Sequence, residues 1–135
     1  VGEKSNPVIY NNIIDSCTIG IEIKDLSEPV IQNCAITNNN IGINLYHKND
    51  KYESGGRGRA EDTIIMANET PVDADDKSYF TLENCLLDIY NENEGSNITF
   101  NNCTAASVYS VYYHEVQTGI YSGMGLTEQI NAGDR

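Results

Sequence analysis

The sequence predicts an all-β fold, a solenoid of short parallel strands, from three observations. Residues 8–14 align without gaps on residues 30–36, and residues 19–23 align on 41–45, at an offset of 22 in both cases. Within these segments apolar, mostly β-branched residues alternate with other residues, which is the two-residue period of a strand. Asparagine, which tolerates the left-handed backbone of tight turns, recurs between them and accounts for 17 of 135 residues.

The repeat continues through most of the chain. Markers equivalent to Ile9 follow at Ile31, Ala60, Leu82 and Phe100, in steps of 22, 29, 22 and 18 residues. The long step fits one period plus about seven inserted residues. Two positions after the markers stand Asn11, Asn33, Asp62, Asn84 and Asn102. We therefore expect about five stacked coils of roughly 22 residues, with the asparagines at turns and in hydrogen-bonded ladders rather than in a ligand site.

The pattern I-x-N-[NC]-x-I followed by G-I-x-[IL], read at residues 9–23 and 31–45, resembles the repeats of the right-handed parallel β-helix superfamily. Pectate lyases and β-helix regions of large secreted repeat proteins belong to this superfamily. The resemblance implies a right-handed parallel β-helix over residues 1–121 with an inserted loop at 46–59, then a tail or cap at 122–135. It also implies an extracellular or cell-surface location. Val1 takes the place of the last inward residue of a strand, so we expect a piece of a longer protein.

Charge and composition exclude several classes of function. Twenty acidic and eight basic residues give a net charge of −12, whereas nucleic-acid binding needs a surplus of Lys and Arg. The same charge argues against electrostatic attachment to anionic membranes. No apolar run approaches the roughly 20 residues of a membrane-spanning helix. Nucleic acid and membrane insertion are therefore not expected.

Three of the four cysteines share one repeat position. Cys34, Cys85 and Cys103 each follow a turn asparagine, and Cys17 stands apart. Neighbouring coils would permit a disulfide only with strained geometry. The sequence favours stacked free thiols over bridges, and the absence of a C-x-x-C pattern disfavours zinc.

The insertion at 46–59 is the first candidate site. It carries four of the eight basic residues in an otherwise acidic chain, and long loops on a rigid scaffold often carry function. Tyrosine rings and guanidinium groups suit sugars and carboxylates. The candidate substrate-binding residues are Tyr46, His47, Lys48, Tyr52, Arg57 and Arg59. The alternative is a flexible solvated loop.

An acidic stretch is the second candidate. Residues 61–94 hold ten acidic residues and one basic residue. Asp73, Asp75 and Asp76 could supply oxygen ligands to calcium, the only cofactor that the sequence suggests; the alternative is a solvated acidic face. Glu61 and Glu83 occupy equivalent repeat positions, so we expect like charges on neighbouring coils unless a cation screens them.

These observations favour a non-catalytic module, a structural stalk or a glycan-binding unit whose partner is a polysaccharide. The alternative is a fragment of a polysaccharide lyase or hydrolase acting on acidic glycans. The resemblance implies that such lyases use an Arg or Lys base on a strand face beside calcium, but no residue here matches that arrangement. No catalytic residue is assigned, because the fold serves enzymes and non-enzymes alike. A further alternative is a fibre subunit that self-stacks through its open solenoid ends.

Overall fold

The computed structural model describes residues 1–88 and 97–105. Within these ranges the regular structure consists of thirteen β-strands in three parallel sheets. Sheet 1 contains β1 (Val8–Tyr10), β4 (Val30–Gln32), β7 (Arg59–Glu61), β10 (Phe80–Glu83) and β12 (Ile98–Asn101). Sheet 2 contains β2 (Ile13–Asp15), β5 (Ala35–Thr37), β8 (Ile64–Met66), β11 (Leu86–Leu87) and β13 (Thr104–Ala105). Sheet 3 contains β3 (Ile19–Lys24), β6 (Ile41–Tyr46) and β9 (Thr70–Ala74).

The predicted all-β solenoid is confirmed. From β1 to β9 successive strands belong to sheets 1, 2 and 3 in turn, and β10 to β13 alternate between sheets 1 and 2. Each strand pairs in parallel with its equivalent one coil away. The repeat markers lie in one register, Ile9 beside Ile31, Ile31 beside Ala60, Ala60 beside Leu82 and Leu82 beside Phe100. The offset of 29 residues between Ile31 and Ala60, which spans the insertion, therefore agrees with the prediction from the sequence.

The core lies between the three sheets. The central residues of the strands point inward, and the buried apolar ones in sheets 1 and 2 include Ile31, Leu82, Ile36, Ile65 and Leu87. Sheet 3 contributes two inward positions per strand, which Ile21, Ile23, Ile43, Leu45 and Val72 fill. Since burying one such side chain contributes about 1.5–3 kcal/mol, stacking of the coils supplies the driving force for folding.

The turn between sheets 1 and 2 uses one residue with a left-handed backbone in each coil. Its φ is 57° at Asn11, 51° at Asn33, 50° at Asp62, 52° at Asn84 and 53° at Asn102. Asparagine and aspartate tolerate this region better than other non-glycine residues. The Asn33 side-chain amide donates to Oδ1 of Asn11 at 2.6 Å, so this corner combines the predicted turn role with a side-chain ladder.

A second ladder is buried at the corner between sheets 2 and 3. Asn39 and Asn68 are each 2% exposed, and Nδ2 of Asn39 donates to Oδ1 of Asn68 at 2.9 Å. The same Oδ1 accepts from the backbone N–H of Asn39 at 3.0 Å. One coil earlier, the backbone N–H of Cys17 donates to Oδ1 of Asn39 at 2.9 Å. These bonds satisfy backbone groups that the turns leave unpaired in the interior.

The C-terminal tail or cap predicted at 122–135 lies outside the described residues.

Candidate functional site

The inserted residues form a loop at the corner between sheets 3 and 1. We call residues 47–54 the corner loop. It begins where β6 ends at Tyr46, and the solenoid path resumes at Gly55. There the backbone N–H of Leu26 donates to the carbonyl oxygen of Gly55, and the N–H of Gly55 donates to that of Lys77, both at 2.9 Å. Between Gly55 and the start of β7 the chain is therefore part of the coil.

Asp25 anchors the first turn of the corner loop. Its Oδ1 accepts the backbone N–H of Lys48 at 2.8 Å and that of Asn49 at 3.0 Å. The Asp25 side chain lies inside the protein, with the residue 2% exposed. Burial alone would raise the pKa of this carboxyl, but the hydrogen bonds from Asn49 and Lys48 hold it below its ordinary value. The carboxylate thus replaces water as the partner of two loop amides.

Asp75 holds the same loop from the coil on the other side. Its Oδ2 accepts the backbone N–H of His47 at 2.7 Å, and its Oδ1 accepts the Ser78 hydroxyl at 2.7 Å and the Lys77 N–H at 3.1 Å. Burial raises the pKa of this carboxyl, but the bonds from His47, Ser78 and Lys77 lower it further than burial raises it. Two carboxylates therefore bind the base of the corner loop.

This role of Asp75 bears on the predicted calcium ligands. Asp73, on β9, and Asp76 are both exposed, whereas both oxygens of Asp75 accept hydrogen bonds from the protein. In the ranges 1–88 and 97–105, no group of three or more His, Cys, Asp or Glu side chains is arranged to hold a metal ion. The calcium site stays a prediction.

Four of the six candidate binding residues lie in or beside the corner loop, and most of their polar groups contact the protein itself. A ring nitrogen of His47 (Nε2) lies 2.8 Å from the carbonyl oxygen of Tyr52. The ammonium groups of Lys4 and Lys51 lie 5.9 and 5.4 Å from the centre of the Tyr52 ring. The Tyr46 hydroxyl donates to Glu22 at 3.5 Å. Lys48 is exposed. Three of these four side chains are thus engaged with other groups of the protein, and Lys48 faces solvent.

The other two candidates, Arg57 and Arg59, lie on a different surface. Arg59 is on β7 and projects from the outer face of sheet 1, since its neighbour Ala60 is buried. The outward residues of sheet 1 form two rows across its strands, Val8, Val30, Arg59, Thr81 and Thr99 in one and Tyr10, Gln32, Glu61, Glu83 and Asn101 in the other. We call these ten residues the sheet 1 face. The structure therefore divides the predicted site between two places.

The predicted juxtaposition of Glu61 and Glu83 occurs on the sheet 1 face. Glu61 accepts a hydrogen bond from the Gln32 amide at 2.9 Å and forms an ion pair with Arg59. The Gln32 bond is the main cause that lowers the pKa of Glu61, and Arg59 also lowers it. The Arg59 guanidinium group thus supplies a positive charge beside Glu61.

A shallow groove of about 410 Å³ runs along one side of this face. Its lining is mainly polar and consists of Asn6, Glu28, Pro29, Val30, Gly58, Arg59, Thr81 and Glu83. Tyr79, which is 54% exposed, directly precedes β10 and lies two residues before Thr81 of the lining, and Arg57 occupies the equivalent position one coil earlier. The sequence analysis does not predict a ligand-binding role for Tyr79, Thr81 or Glu83. The offset of 22 residues nevertheless pairs them with Arg57, Arg59 and Glu61.

Comparison with known proteins agrees with this architecture. The family model of the right-handed β-helix region matches residues 1–127. No curated protein and no solved structure is significantly similar to the chain. The described ranges contain no helix with the length and apolar character that a membrane crossing requires.

Proposed function

Because the chain belongs to the right-handed β-helix family, we propose that it is a non-catalytic β-helix module of a secreted or cell-surface protein, and that it binds a glycan on the sheet 1 face. The observation that carries this proposal is the polar groove lined by Arg59, Thr81 and Glu83, with the exposed Tyr79 two residues before Thr81. The corner loop is the less suitable surface, because Asp25 and Asp75 accept hydrogen bonds from its backbone and the Lys51 ammonium group lies over the Tyr52 ring.

The arrangement suits a chain of sugars. Parallel strands repeat at roughly 4.8 Å, so a polymer lying across them meets equivalent side chains at regular intervals. Guanidinium, carboxylate, amide and hydroxyl groups in the two rows can donate to or accept from sugar hydroxyls. A tyrosine ring presents a flat apolar surface with a polar edge.

Charge favours a neutral glycan over an acidic one. In and around the groove the negative charges outnumber the positive ones, with three glutamates (Glu28, Glu61 and Glu83) and two arginines (Arg57 and Arg59). Arg59 is already paired with Glu61. The whole chain carries a charge of −12, which repels polyanions at low ionic strength. Neutral polymers with many hydroxyl groups avoid this repulsion.

The test compares Tyr79→Ala with Tyr52→Ala, which removes the same side chain from the corner loop. Binding is measured by isothermal titration calorimetry with soluble neutral polysaccharides, such as xylan and mixed-linkage β-glucan, and with polygalacturonate. We expect Tyr79→Ala to weaken binding of a neutral polymer about tenfold, which corresponds to ~1.4 kcal/mol, and Tyr52→Ala to leave it unchanged.

Three outcomes would contradict the proposal. Loss of binding in Tyr52→Ala alone would place the site in the corner loop, as the sequence predicted. Release of unsaturated products from polygalacturonate would favour the lyase alternative. If the protein binds none of the polymers in the panel, the structural stalk is the function that remains.

A further inference from the structure

Two cysteines lie side by side on neighbouring coils. Cys85 directly precedes β11 and Cys103 directly precedes β13. The residues on both sides are in register, Glu83 with Asn101 and Leu86 with Thr104, and the Thr104 N–H donates to the carbonyl oxygen of Cys85 at 2.9 Å. The strand spacing of roughly 4.8 Å lies inside the Cα separation range of about 4.4–6.8 Å that disulfides span. The Cβ atoms of a disulfide lie about 3.5–4.5 Å apart, so the bridge requires a small local approach of the two coils, which is the strain expected from the sequence.

The two thiols differ in environment. Cys85 is fully buried, whereas Cys103 is partly exposed. Contact with the Cys85 thiol lowers the pKa of Cys103 to about 7, although burial opposes this shift. The same contact, together with burial, raises the pKa of Cys85 well above its ordinary value. At neutral pH the accessible sulfur is therefore partly a thiolate, and the buried Cys85 thiol beside it stays protonated, with the carbonyl oxygens of Glu83 and Ala60 at 3.4 and 3.5 Å from its sulfur.

We propose that Cys85 and Cys103 form a redox pair that hydroperoxides convert into a disulfide between two coils. The Cys103 thiolate attacks the O–O bond of the hydroperoxide, which gives a sulfenic acid and, after protonation, an alcohol, or water from hydrogen peroxide. The Cys85 sulfur then attacks the sulfenic sulfur, the S–S bond forms and water leaves. Two thiols lose two electrons in total, and the hydroperoxide gains them.

A matched control exists in the same repeat position. Cys34 is buried, and its neighbour on the next coil is Thr63, whose hydroxyl lies 3.4 Å from the Cys34 backbone nitrogen. On the preceding coil Asn12 takes the position. Burial raises the pKa of Cys34. Cys34 thus shares the fold position of Cys85 but has no adjacent thiol among the described residues.

The experiment exposes the folded protein to a small excess of hydrogen peroxide at pH 7.5. Free thiols are counted after denaturation, and disulfides are mapped by mass spectrometry of peptides. We expect wild type and Cys34→Ser to lose two thiols as a single Cys85–Cys103 bridge. In Cys85→Ser we expect dimedone to trap sulfenic acid at Cys103. In Cys103→Ser we expect the reaction to slow at least tenfold.

Cys17 is exposed and could form bridges between molecules, so the series is repeated in a Cys17→Ser background. A stable sulfenic acid at Cys103 in wild type, without the bridge, would overturn the proposal, and so would equal oxidation rates in Cys103→Ser and wild type. Circular dichroism of each variant before oxidation verifies that the comparison is made on folded protein.

Discussion

At position 62 an aspartate occupies a turn that four asparagines fill in the other coils. Its Oδ1 is buried and has no hydrogen-bond partner among the described residues. Burial is the main cause that raises the pKa of this carboxyl, and Glu61 and Glu83 add to the effect. A side-chain amide at this position would avoid the charge and retain the left-handed turn.

We expect Asp62→Asn to stabilise the protein by about 1 kcal/mol at pH 7, since the amide removes a negative charge whose burial beside Glu61 and Glu83 costs roughly that much. A carboxyl whose folded pKa is raised contributes most below its unfolded pKa, and this contribution is lost as the pH rises through the folded value. The gain should therefore shrink as the pH falls through the raised folded pKa toward 3.8, and should be lost at pH 3. Thermal unfolding at pH 7 and pH 3 measures this gain in stability, and Asp73→Asn, at an exposed position, is the control. An equal gain in both variants, or at both pH values, would contradict this explanation.

At the scale of elements, the corner loop depends on a carboxylate from the preceding coil. Asp25→Asn retains the size of the side chain but removes the charge that two backbone N–H groups of the loop share. Bonds to charged groups contribute about 1.5–3 kcal/mol. We expect the amides of Lys48 and Asn49 to lose protection from hydrogen exchange by about tenfold or more.

The amides of sheet 3 should remain protected in this variant, because their bonds join β3, β6 and β9 and do not involve Asp25. Asp50→Asn, at an exposed position in the same loop, provides the control. Uniform loss of protection across sheet 3 would indicate that Asp25 supports the whole coil and not the loop alone.

At the scale of the whole molecule, several carboxylates make the fold sensitive to acid. The pKa values of Asp25, Asp75 and Glu61 are lowered from ordinary values of 3.8, 3.8 and 4.5. Groups with lowered pKa contribute stability above their unfolded pKa, and lose it as the pH falls through the folded value. We expect the midpoint of thermal unfolding to be nearly constant from pH 7 to 5 and to fall steadily below pH 4. A midpoint that rises on acidification would show that Asp62 and repulsion among the excess acidic residues dominate.

The solenoid could be predicted from the sequence because its signals are local. Strand alternation and the turn residue at positions such as Asn11 and Asn33 repeat at a fixed offset, so they fix the register without knowledge of distant contacts. The binding of the corner loop could not be predicted, because Asp25 lies more than twenty residues before the loop amides whose hydrogen bonds it accepts. The equivalent position on the next coil is His47, so the repeat does not mark the carboxylate. The sequence does carry a signal that places Arg59 on sheet 1 and outside the loop, since its neighbour Ala60 is a repeat marker.

The two kinds of corner differ in how they respond to a change of chain length. The turn between sheets 1 and 2 depends on one left-handed residue per coil, and an added residue would reverse the side chains of the following strand. At the corner between sheets 3 and 1, the path leaves the solenoid after Tyr46 and rejoins it at Gly55, where bonds to both adjacent coils resume. Doubling the length of a flexible segment there adds only about 0.6 kcal/mol of closure entropy. This corner is consequently a grafting point at which a foreign peptide could be displayed while the coils retain their alignment.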